Sequence, residues 1–314
     1  MVQVDLITGF LGAGKTTFLR RYVRYLVEQG HNVCILENDF GAVNVDAMLV
    51  QDLLGPRCDL ETISGGCDCD THQRRMRTKL IAMAMRGFDR VVVEPSGIFD
   101  VDEFFDVLRD DPLDRWYQVG NVIAIVDAML PETLSPQAEY LLASETANAG
   151  RVLLSRTRQA GQAQTAAAAA HLTRALEGCK CSRRFAPEEI LTKDWAQLTG
   201  ADLAALASCG YRQASCEKLH FDEHEAFSSL CFLEQHLTLQ QLQAAADRLF
   251  ADRACGHVLR VKGFAPDPQG TTGWLELNAT AAGKTLAPIP QGQDVLIVIG
   301  EGLDKAAIEA RLKA

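Results

Sequence analysis

A glycine-rich segment, GFLGAGKT at residues 9–16, constrains the fold of this chain more than any other feature. It follows an apolar, β-branched run at residues 2–7 and precedes a helical pattern that begins at Thr16. Strand, glycine-rich loop and helix in this order are typical of a phosphate-binding loop, in which successive backbone N–H groups surround phosphate oxygens. The sequence therefore predicts an α/β domain that binds a nucleoside triphosphate.

Each residue type in this loop has its own task in phosphate binding. Lys15 is expected to neutralise the β- and γ-phosphate oxygens, and the Thr16 hydroxyl is expected to ligate Mg²⁺. The residues predicted to contact the nucleotide here are Gly9, Gly12, Ala13, Gly14, Lys15, Thr16 and Thr17. The alternative is a glycine-rich turn without a ligand, and the agreement of pattern and position argues against it.

An acidic residue at the end of a later strand completes the predicted catalytic group. Residues 90–94 read RVVVE, and a proline, a serine and Gly97 follow. An acid at a strand tip beside a phosphate loop holds Mg²⁺ through water or orients the attacking water. We therefore predict Lys15, Thr16 and Glu94 as catalytic residues, and Gly97 as the point where backbone approaches the γ-phosphate. The alternative is a glutamate that faces solvent.

The pattern of apolar runs predicts two domains. In residues 1–206, apolar runs alternate with helical patterns, which predicts a mostly parallel sheet with helices on both faces. From residue 226 the predicted order is strand, helix, three strands and helix, which indicates a small α+β domain with a largely antiparallel sheet. The pattern weakens over residues 207–225, which we predict to be a linker. Predicted helices of the first domain are at 16–28, 45–54, 71–86, 135–147 and 162–176.

Charge and hydropathy exclude two classes of partner. The 31 Lys and Arg residues against 41 Asp and Glu residues give a net charge of −10. Nucleic-acid binding needs a basic face, so a nucleic-acid partner is not expected. No apolar run reaches the roughly 18 residues of a membrane span, and no leader pattern is evident, so we expect a cytoplasmic protein without a membrane partner. The ten cysteines are then expected to be free thiols or metal ligands.

Several phrases together resemble the CobW-type metallochaperone GTPases, relatives of the UreG and HypB nickel proteins. In the first half they are TGFLGAGKTTFL (8–19), ENDFGAVNVD (37–46), GGCDCD (65–70), VVVEPSG (91–97) and VIAIVDA (122–128). LRVKGF (259–264) and VLIVIG (295–300) resemble the second domain of the family. The resemblance implies a P-loop GTPase domain, a ferredoxin-like C-terminal domain, and a switch at residues 38–46 that senses the γ-phosphate.

The resemblance also implies that a cysteine motif holds Zn²⁺, Co²⁺ or another transition metal, and that hydrolysis controls its transfer to an unknown client metalloprotein. Family members typically carry C-x-C-C, whereas this chain has CDCD at residues 67–70. Zn²⁺ accepts sulfur and carboxylate ligands together, so Cys67, Cys69, Asp70 and Glu37 are the expected ligands, with His72 as a further candidate. The alternative is a loop with two ordinary cytosolic thiols.

The motif that reads the base departs from the family pattern as well. After the strand at residues 152–154 the family has N-K-x-D, and this chain has SRTR at residues 155–158. Arg156 can stack on a base, but Arg158 cannot accept the N–H groups of guanine. Ser155 and Arg156 are the predicted base contacts; GTP is the expected nucleotide, and ATP is the alternative.

Two other functions stay open from the sequence. One is a nucleotide-dependent switch or scaffold that neither selects guanine nor carries metal, and the other is a small-molecule kinase. A kinase usually has an arginine-rich lid, which the sequence does not show. Cys179 and Cys181 are predicted to be structural or incidental. Asp127 ends an apolar strand and either caps the following turn or belongs to the nucleotide face; the sequence leaves both roles open. Monomer and homo-oligomer are both compatible with the sequence.

Overall fold

The computed structural model describes residues 1–10, 12–39, 49–64, 69–95, 101–217, 227–270, 273–281, 283–289 and 292–313. For residues 38, 39, 64, 69–72 and 103 it describes the backbone alone. The chain divides into two compact units, whose described parts are separated in sequence by residues 218–226.

The first unit is built around a parallel sheet. Its strands stand side by side in the order β3-β2-β4-β1-β5-β6-β7, and each pair is parallel. This confirms the α/β class expected from the alternating pattern. Since all these strands run the same way, their carboxyl ends gather at one edge of the sheet. The strands are β1 (Val2–Thr8), β2 (Val33–Asp39), β3 (Cys58–Ser64), β4 (Arg90–Glu94), β5 (Tyr117–Asp127), β6 (Arg151–Ser155) and β7 (Ile190–Leu191).

Helices cover both faces of this sheet. They are α1 (Lys15–Glu28), α2 (Cys69–Met85), α3 (Val101–Arg109), α4 (Leu113–Trp116), α5 (Pro136–Ala147), α6 (Thr157–Gly178) and α7 (Gly200–Leu206). Successive strand residues belong to different cores. Leu6 is part of a core that includes residues of α2, α3, α5 and α6, whereas Ile7 is part of a core that includes residues of α1 and α7. Of the helix predicted at residues 45–54, residues 45–48 lie outside the described residues, and the described remainder contains the short 3₁₀ helix Gln51–Leu53. Within the described part of the chain, no helix has the length and apolar character that crossing a bilayer requires.

Residues 207–217, predicted as the start of a linker, lie against the first unit. The Gly210 N–H donates to Asn121 Oδ1 at 2.9 Å, and the Arg212 N–H donates to the Asn148 carbonyl oxygen at 3.0 Å. These bonds tie the segment to β5 and to the end of α5. Residues 207–217 therefore belong to the first unit.

A disulfide joins the end of this segment to the residues that follow α6. Ser182 N–H donates to the Ser215 carbonyl oxygen at 2.8 Å, and Cys181 and Cys216 are bonded beside this pair. The expectation that the cysteines are free thiols or metal ligands is therefore wrong for these two. The disulfide forms because backbone hydrogen bonding aligns two segments whose cysteines are 35 residues apart in sequence. The sequence does not reveal this pairing.

In its described residues, the second unit consists of an antiparallel sheet with two α-helices. The strands stand in the order β11-β10-β9-β12-β8, and each pair is antiparallel. Residues of both helices, among them Leu242 and Ile308, form a core with Val261 and Val298 of the sheet. This confirms the predicted small α+β domain. The elements are β8 (Ser228–Leu233), α8 (Leu239–Ala251), β9 (His257–Pro266), β10 (Trp274–Thr280), β11 (Gly283–Ile289), β12 (Val295–Glu301) and α9 (Lys305–Leu312).

Candidate nucleotide-binding site

The glycine-rich loop connects β1, in the middle of the parallel sheet, to the first turn of α1. Gly9 has φ 139°, and a Cβ at this position would overlap the carbonyl oxygen of Ile125 on β5. Gly14 precedes α1 with φ 105°, in the left-handed region that favours glycine. The loop therefore needs glycine at both ends in order to turn from the strand into the helix. Leu11 lies outside the described residues.

Lys15 and Thr16 lie in the first turn of α1, where free backbone N–H groups favour anions. Lys15 is 8% exposed, and its Nζ donates to the Gly9 carbonyl oxygen at 2.7 Å. This bond holds the ammonium group across the loop. The Thr16 hydroxyl donates to Glu94 Oε1 at 2.8 Å, although the two residues are 78 positions apart in sequence. The structure thus brings the three predicted catalytic residues to one loop.

A second buried carboxylate lies next to Glu94. Glu94 ends β4, and its direct register partner on β2 is Glu37, two residues before the end of that strand. Both glutamates are almost fully buried. Carboxylate and hydroxyl oxygens are the ligands that Mg²⁺ prefers. Thr16 and Glu94 therefore fit the predicted Mg²⁺ position, and Glu37 is a neighbour of that position rather than part of a separate region.

Most of the predicted transition-metal ligands cannot be placed. Cys67 lies outside the described residues, and so do the side chains of Cys69, Asp70 and His72. Gly97, the predicted backbone contact of the γ-phosphate, also lies outside them. Glu37 is the predicted ligand with a described side chain. Among the described residues, no group of three or more His, Cys, Asp or Glu side chains is arranged to hold a metal ion. The cysteine metal site remains a prediction.

On the side predicted to face the base, Arg156 is held between a strand end and the phosphate loop. Its Nη1 donates to Asp127 Oδ2, and its Nη2 donates to the Gly12 carbonyl oxygen at 3.1 Å. The Met129 N–H donates to Asp127 Oδ1 at 2.9 Å, so both carboxylate oxygens are used. Burial raises the pKa of Asp127, whereas the charge of Arg156 opposes this shift. Ser155 is 3% exposed, and its hydroxyl has no hydrogen-bond partner among the described residues.

The sequence predicts no role for Trp195 and leaves the role of Asp127 open, yet both belong to this region. Trp195 follows β7, and a Cβ added at Gly14 would lie 3.3 Å from its ring and 3.8 Å from Ser155 Cβ. The ring of Trp195 also contacts Phe18 of α1 edge-on, with centroids 5.7 Å apart. The sequence feature that indicates Asp127 is an acid at the end of an apolar strand. No comparable feature indicates Trp195, because the strand before it, β7, has only two residues and is too short to be recognised from its sequence.

Comparison with known families identifies the first unit. The family model "CobW/HypB/UreG, nucleotide-binding domain" matches residues 3–182, more than half of the chain. The chain belongs to the CobW/HypB/UreG family. The resemblance predicted from the sequence is thereby confirmed, and the glycine-rich loop, Glu94, Asp127 and Arg156 all lie within the nucleotide-binding domain of that family.

Individual relatives within this comparison are zinc chaperones. The chain is 32% identical to the zinc chaperone YjiA of Escherichia coli (strain K12) over 173 residues, which are 52% of each chain. It is 30% identical to the zinc chaperone YeiR of the same organism over 131 residues, 41% of this chain and 39% of YeiR. The chain thus spans about half the length of the curated relatives it matches, or less.

Solved structures of related proteins align with this chain at low identity. Zn(II)-bound YjiA GTPase from E. coli covers 99% of this chain and 98% of its own, at 22% identity and a TM-score of 0.38. HypB from Helicobacter pylori in complex with nickel covers 65% of this chain and 82% of its own, at 14% identity and a TM-score of 0.42. The fold of the first unit is established by its own strand order.

Proposed function

We propose that this protein binds GTP, hydrolyses it slowly to GDP and phosphate, and couples this cycle to the binding and delivery of a transition metal. The observation that carries the proposal is the joining of Lys15, Thr16 and Glu94 at one phosphate loop within a CobW/HypB/UreG nucleotide-binding domain. The relatives named zinc chaperones favour Zn²⁺ as the metal, and the client protein is of unknown identity. A cytoplasmic location is part of this proposal.

The chain's own residues account for phosphate binding in this proposal. Loop and helix N–H groups surround the phosphates, and the Lys15 ammonium, held at the Gly9 carbonyl, faces the charge that develops on the transferred phosphoryl group. Thr16 and Glu94 would hold Mg²⁺, which would neutralise charge on the β- and γ-phosphate oxygens when bound. Glu94 in addition orients the attacking water. Without an activating partner, such sites turn over at about 10⁻⁴ to 10⁻² s⁻¹.

The position of Glu37 supports coupling between nucleotide and transition metal. Glu37 is a predicted metal ligand, and its register partner Glu94 accepts a hydrogen bond from Thr16. A metal ion bound through Glu37 and the cysteines at 67 and 69 would therefore lie beside the Mg²⁺ position. Such a metal would act as cargo, whose charge is felt by the groups that bind the triphosphate.

A second candidate function is a nucleotide-dependent switch with relaxed base specificity and no metal transfer. The observation that favours it is the replacement of N-K-x-D by SRTR, in which Arg158 is exposed and carries no acceptor. An active site that hydrogen-bonds a substrate group can reject its analogue by about 10⁴–10⁵. Without the acid, this discrimination is expected to shrink.

Calorimetric titration of the full chain with GTP, GDP and ATP, each with and without Zn²⁺ or Co²⁺, tests both candidates. The proposed function predicts tighter binding of GTP than of ATP and one metal ion per chain. The Cys67→Ser/Cys69→Ser double variant should lose that metal ion, whereas the control Cys231→Ser, at a partly exposed cysteine of the second unit, should retain it. Equal binding of GTP and ATP, with no metal bound, would favour the switch.

The kinase alternative needs a separate test, in which labelled nucleotide is incubated with the protein and the label is followed. Phosphate transfer to an acceptor other than water would indicate a kinase.

A further inference from the structure

Asp127, Arg156 and Gly12 form a continuous chain of hydrogen bonds that links three parts of the nucleotide domain. Asp127 ends β5, Arg156 follows β6, and Gly12 belongs to the phosphate loop. We propose that Asp127 is a positioning residue for nucleotide binding, which fixes the Arg156 guanidinium against the loop so that its flat face stacks on the base of the nucleotide. This role presupposes the nucleotide binding proposed above and extends it to the way in which the base is recognised.

The geometry leaves the guanidinium little freedom. One terminal nitrogen donates to the Asp127 carboxylate and the other to the Gly12 carbonyl oxygen, so the group is anchored at two points of its edge. The Asp127 carboxylate is itself fixed by the Met129 N–H. Arg156 has φ 56°, a left-handed conformation that a non-glycine residue keeps only where its surroundings hold it. Bonds at the edge of a guanidinium leave its two faces available for stacking on an aromatic ring.

Two observations support a ligand position next to this group. The Arg156 side chain is 21% exposed, so part of the group is accessible to a ligand. The adjacent Ser155 side chain borders Gly14 and carries a buried hydroxyl with no partner among the described residues. A nucleotide with its phosphates in the loop must extend its ribose and base out of it, and residues 155 and 156 border the loop. The orphan hydroxyl is then a donor or acceptor for that ligand.

Stacking on Arg156 would not distinguish one base from another, whereas hydrogen bonds to the edge of a base would. Every nucleobase has a π face, so a platform of this type strengthens GTP and ATP by a similar factor. The ligand class is therefore a nucleoside triphosphate, selected first by its phosphates. Inorganic tripolyphosphate, which has no base, should gain nothing from the platform.

The test compares the affinities of GTP, ATP and inorganic tripolyphosphate, each with Mg²⁺, for the full-length chain and the Asp127→Asn variant. We expect the variant to bind GTP and ATP about tenfold more weakly and tripolyphosphate within about twofold of the wild type. In steady-state hydrolysis the KM should rise about tenfold while kcat changes less than about twofold. Arg156→Gln should reproduce this pattern, and it replaces Asp127→Asn if that variant does not fold.

The matched control is Glu189→Gln, which breaks another buried ion pair of the same unit, between Glu189 and Arg183. This control should leave the ratio of GTP to tripolyphosphate affinity unchanged. Unchanged GTP affinity in Asp127→Asn would overturn the proposal, and so would an equal loss of tripolyphosphate, or a loss for GTP but not for ATP. A wild-type protein that binds neither nucleotide nor tripolyphosphate would instead overturn the proposed function, and this role with it.

Discussion

At the scale of single residues, the site depends on side chains whose polar groups are held before any ligand arrives. Lys15 is anchored at Gly9, Thr16 at Glu94, and Arg156 at Asp127. Each bond joins the loop region to the carboxyl edge of the sheet or crosses the loop itself. Binding then costs less ordering of long side chains, because their rotamers are already restricted.

Lys15→Ala tests the assignment of this loop as the catalytic centre. The variant loses the cation nearest to the transferred phosphoryl group, so we expect kcat to fall by about 10²–10³-fold. It also loses the bond to Gly9, which is worth about 1 kcal/mol of stability and leaves the fold intact. Phosphate release and a thermal unfolding curve measure the two effects.

The control for this prediction is Lys79→Ala, which removes a lysine paired with Glu61 and should retain full turnover. Unchanged turnover in Lys15→Ala would place catalysis elsewhere.

At the scale of secondary-structure elements, the sequence predicts best what a local pattern encodes. The strands β1, β2, β4, β5 and β6 follow from apolar, β-branched runs, and their continuous apolar character fits a sheet covered on both faces. The strand β11 was not predicted, because most of its residues are exposed and it contains Gly283 and Pro288. It forms a strand through pairing with β10, which sequence periodicity does not reveal. The helix α3 is not among the predicted helices, although its apolar residues have helical spacing.

The candidate site shows the same division between local and distant information. The phosphate loop is one continuous segment, so the sequence predicts it in full. Glu94 is found because a strand that ends in an acid is a local pattern. The pair formed by Asp127 and Arg156 requires knowledge that β5 and β6 are neighbours, and the contact of Trp195 with Phe18 joins residues far apart in the chain. These contacts depend on strand order, which the sequence pattern alone leaves open.

Burial in strands also decides which thiols can react. Burial raises the pKa of Cys34 on β2 to about 12 and that of Cys58 on β3 to about 11. Both thiols therefore stay protonated at pH 8, and iodoacetamide should label them at least about 100-fold more slowly in the native protein than in urea. Because their folded-state pKa values are raised, their contribution to stability is present below about pH 8.5 and is lost as the pH rises through 11 to 12.

Mass-spectrometric mapping of alkylated cysteines measures this difference site by site. Cys231, a partly exposed cysteine on β8, serves as the internal reference for a more accessible thiol. Labelling of Cys34 in the native state at the rate seen in urea would contradict the burial found here. If the expected pattern is observed, Cys34 and Cys58 do not compete for metal at neutral pH, which leaves Cys67 and Cys69 as the better candidates.

At the scale of the whole molecule, the edge of the parallel sheet places the two proposed ligands next to each other. The triphosphate site contains Thr16 and Glu94, and the proposed metal site contains Glu37, the register partner of Glu94. Two buried carboxylates on neighbouring strands repel each other when both are charged, and a cation at either one changes the environment of the other. Metal and nucleotide should therefore alter each other's affinity.

Thermodynamic linkage makes this coupling testable from both directions. If GTP changes the affinity for Co²⁺ by some factor, Co²⁺ must change the affinity for GTP by the same factor, which is typically about 5–150-fold. Co²⁺ titration of the nucleotide-free, GDP-bound and non-hydrolysable-GTP-bound protein, followed by the reverse titration, measures both factors. Glu61→Gln, which removes a partly exposed carboxylate of β3, is the control and should retain the coupling. Equal Co²⁺ affinities in all three states would mean that the sites are independent, and metal delivery controlled by hydrolysis would have to be abandoned.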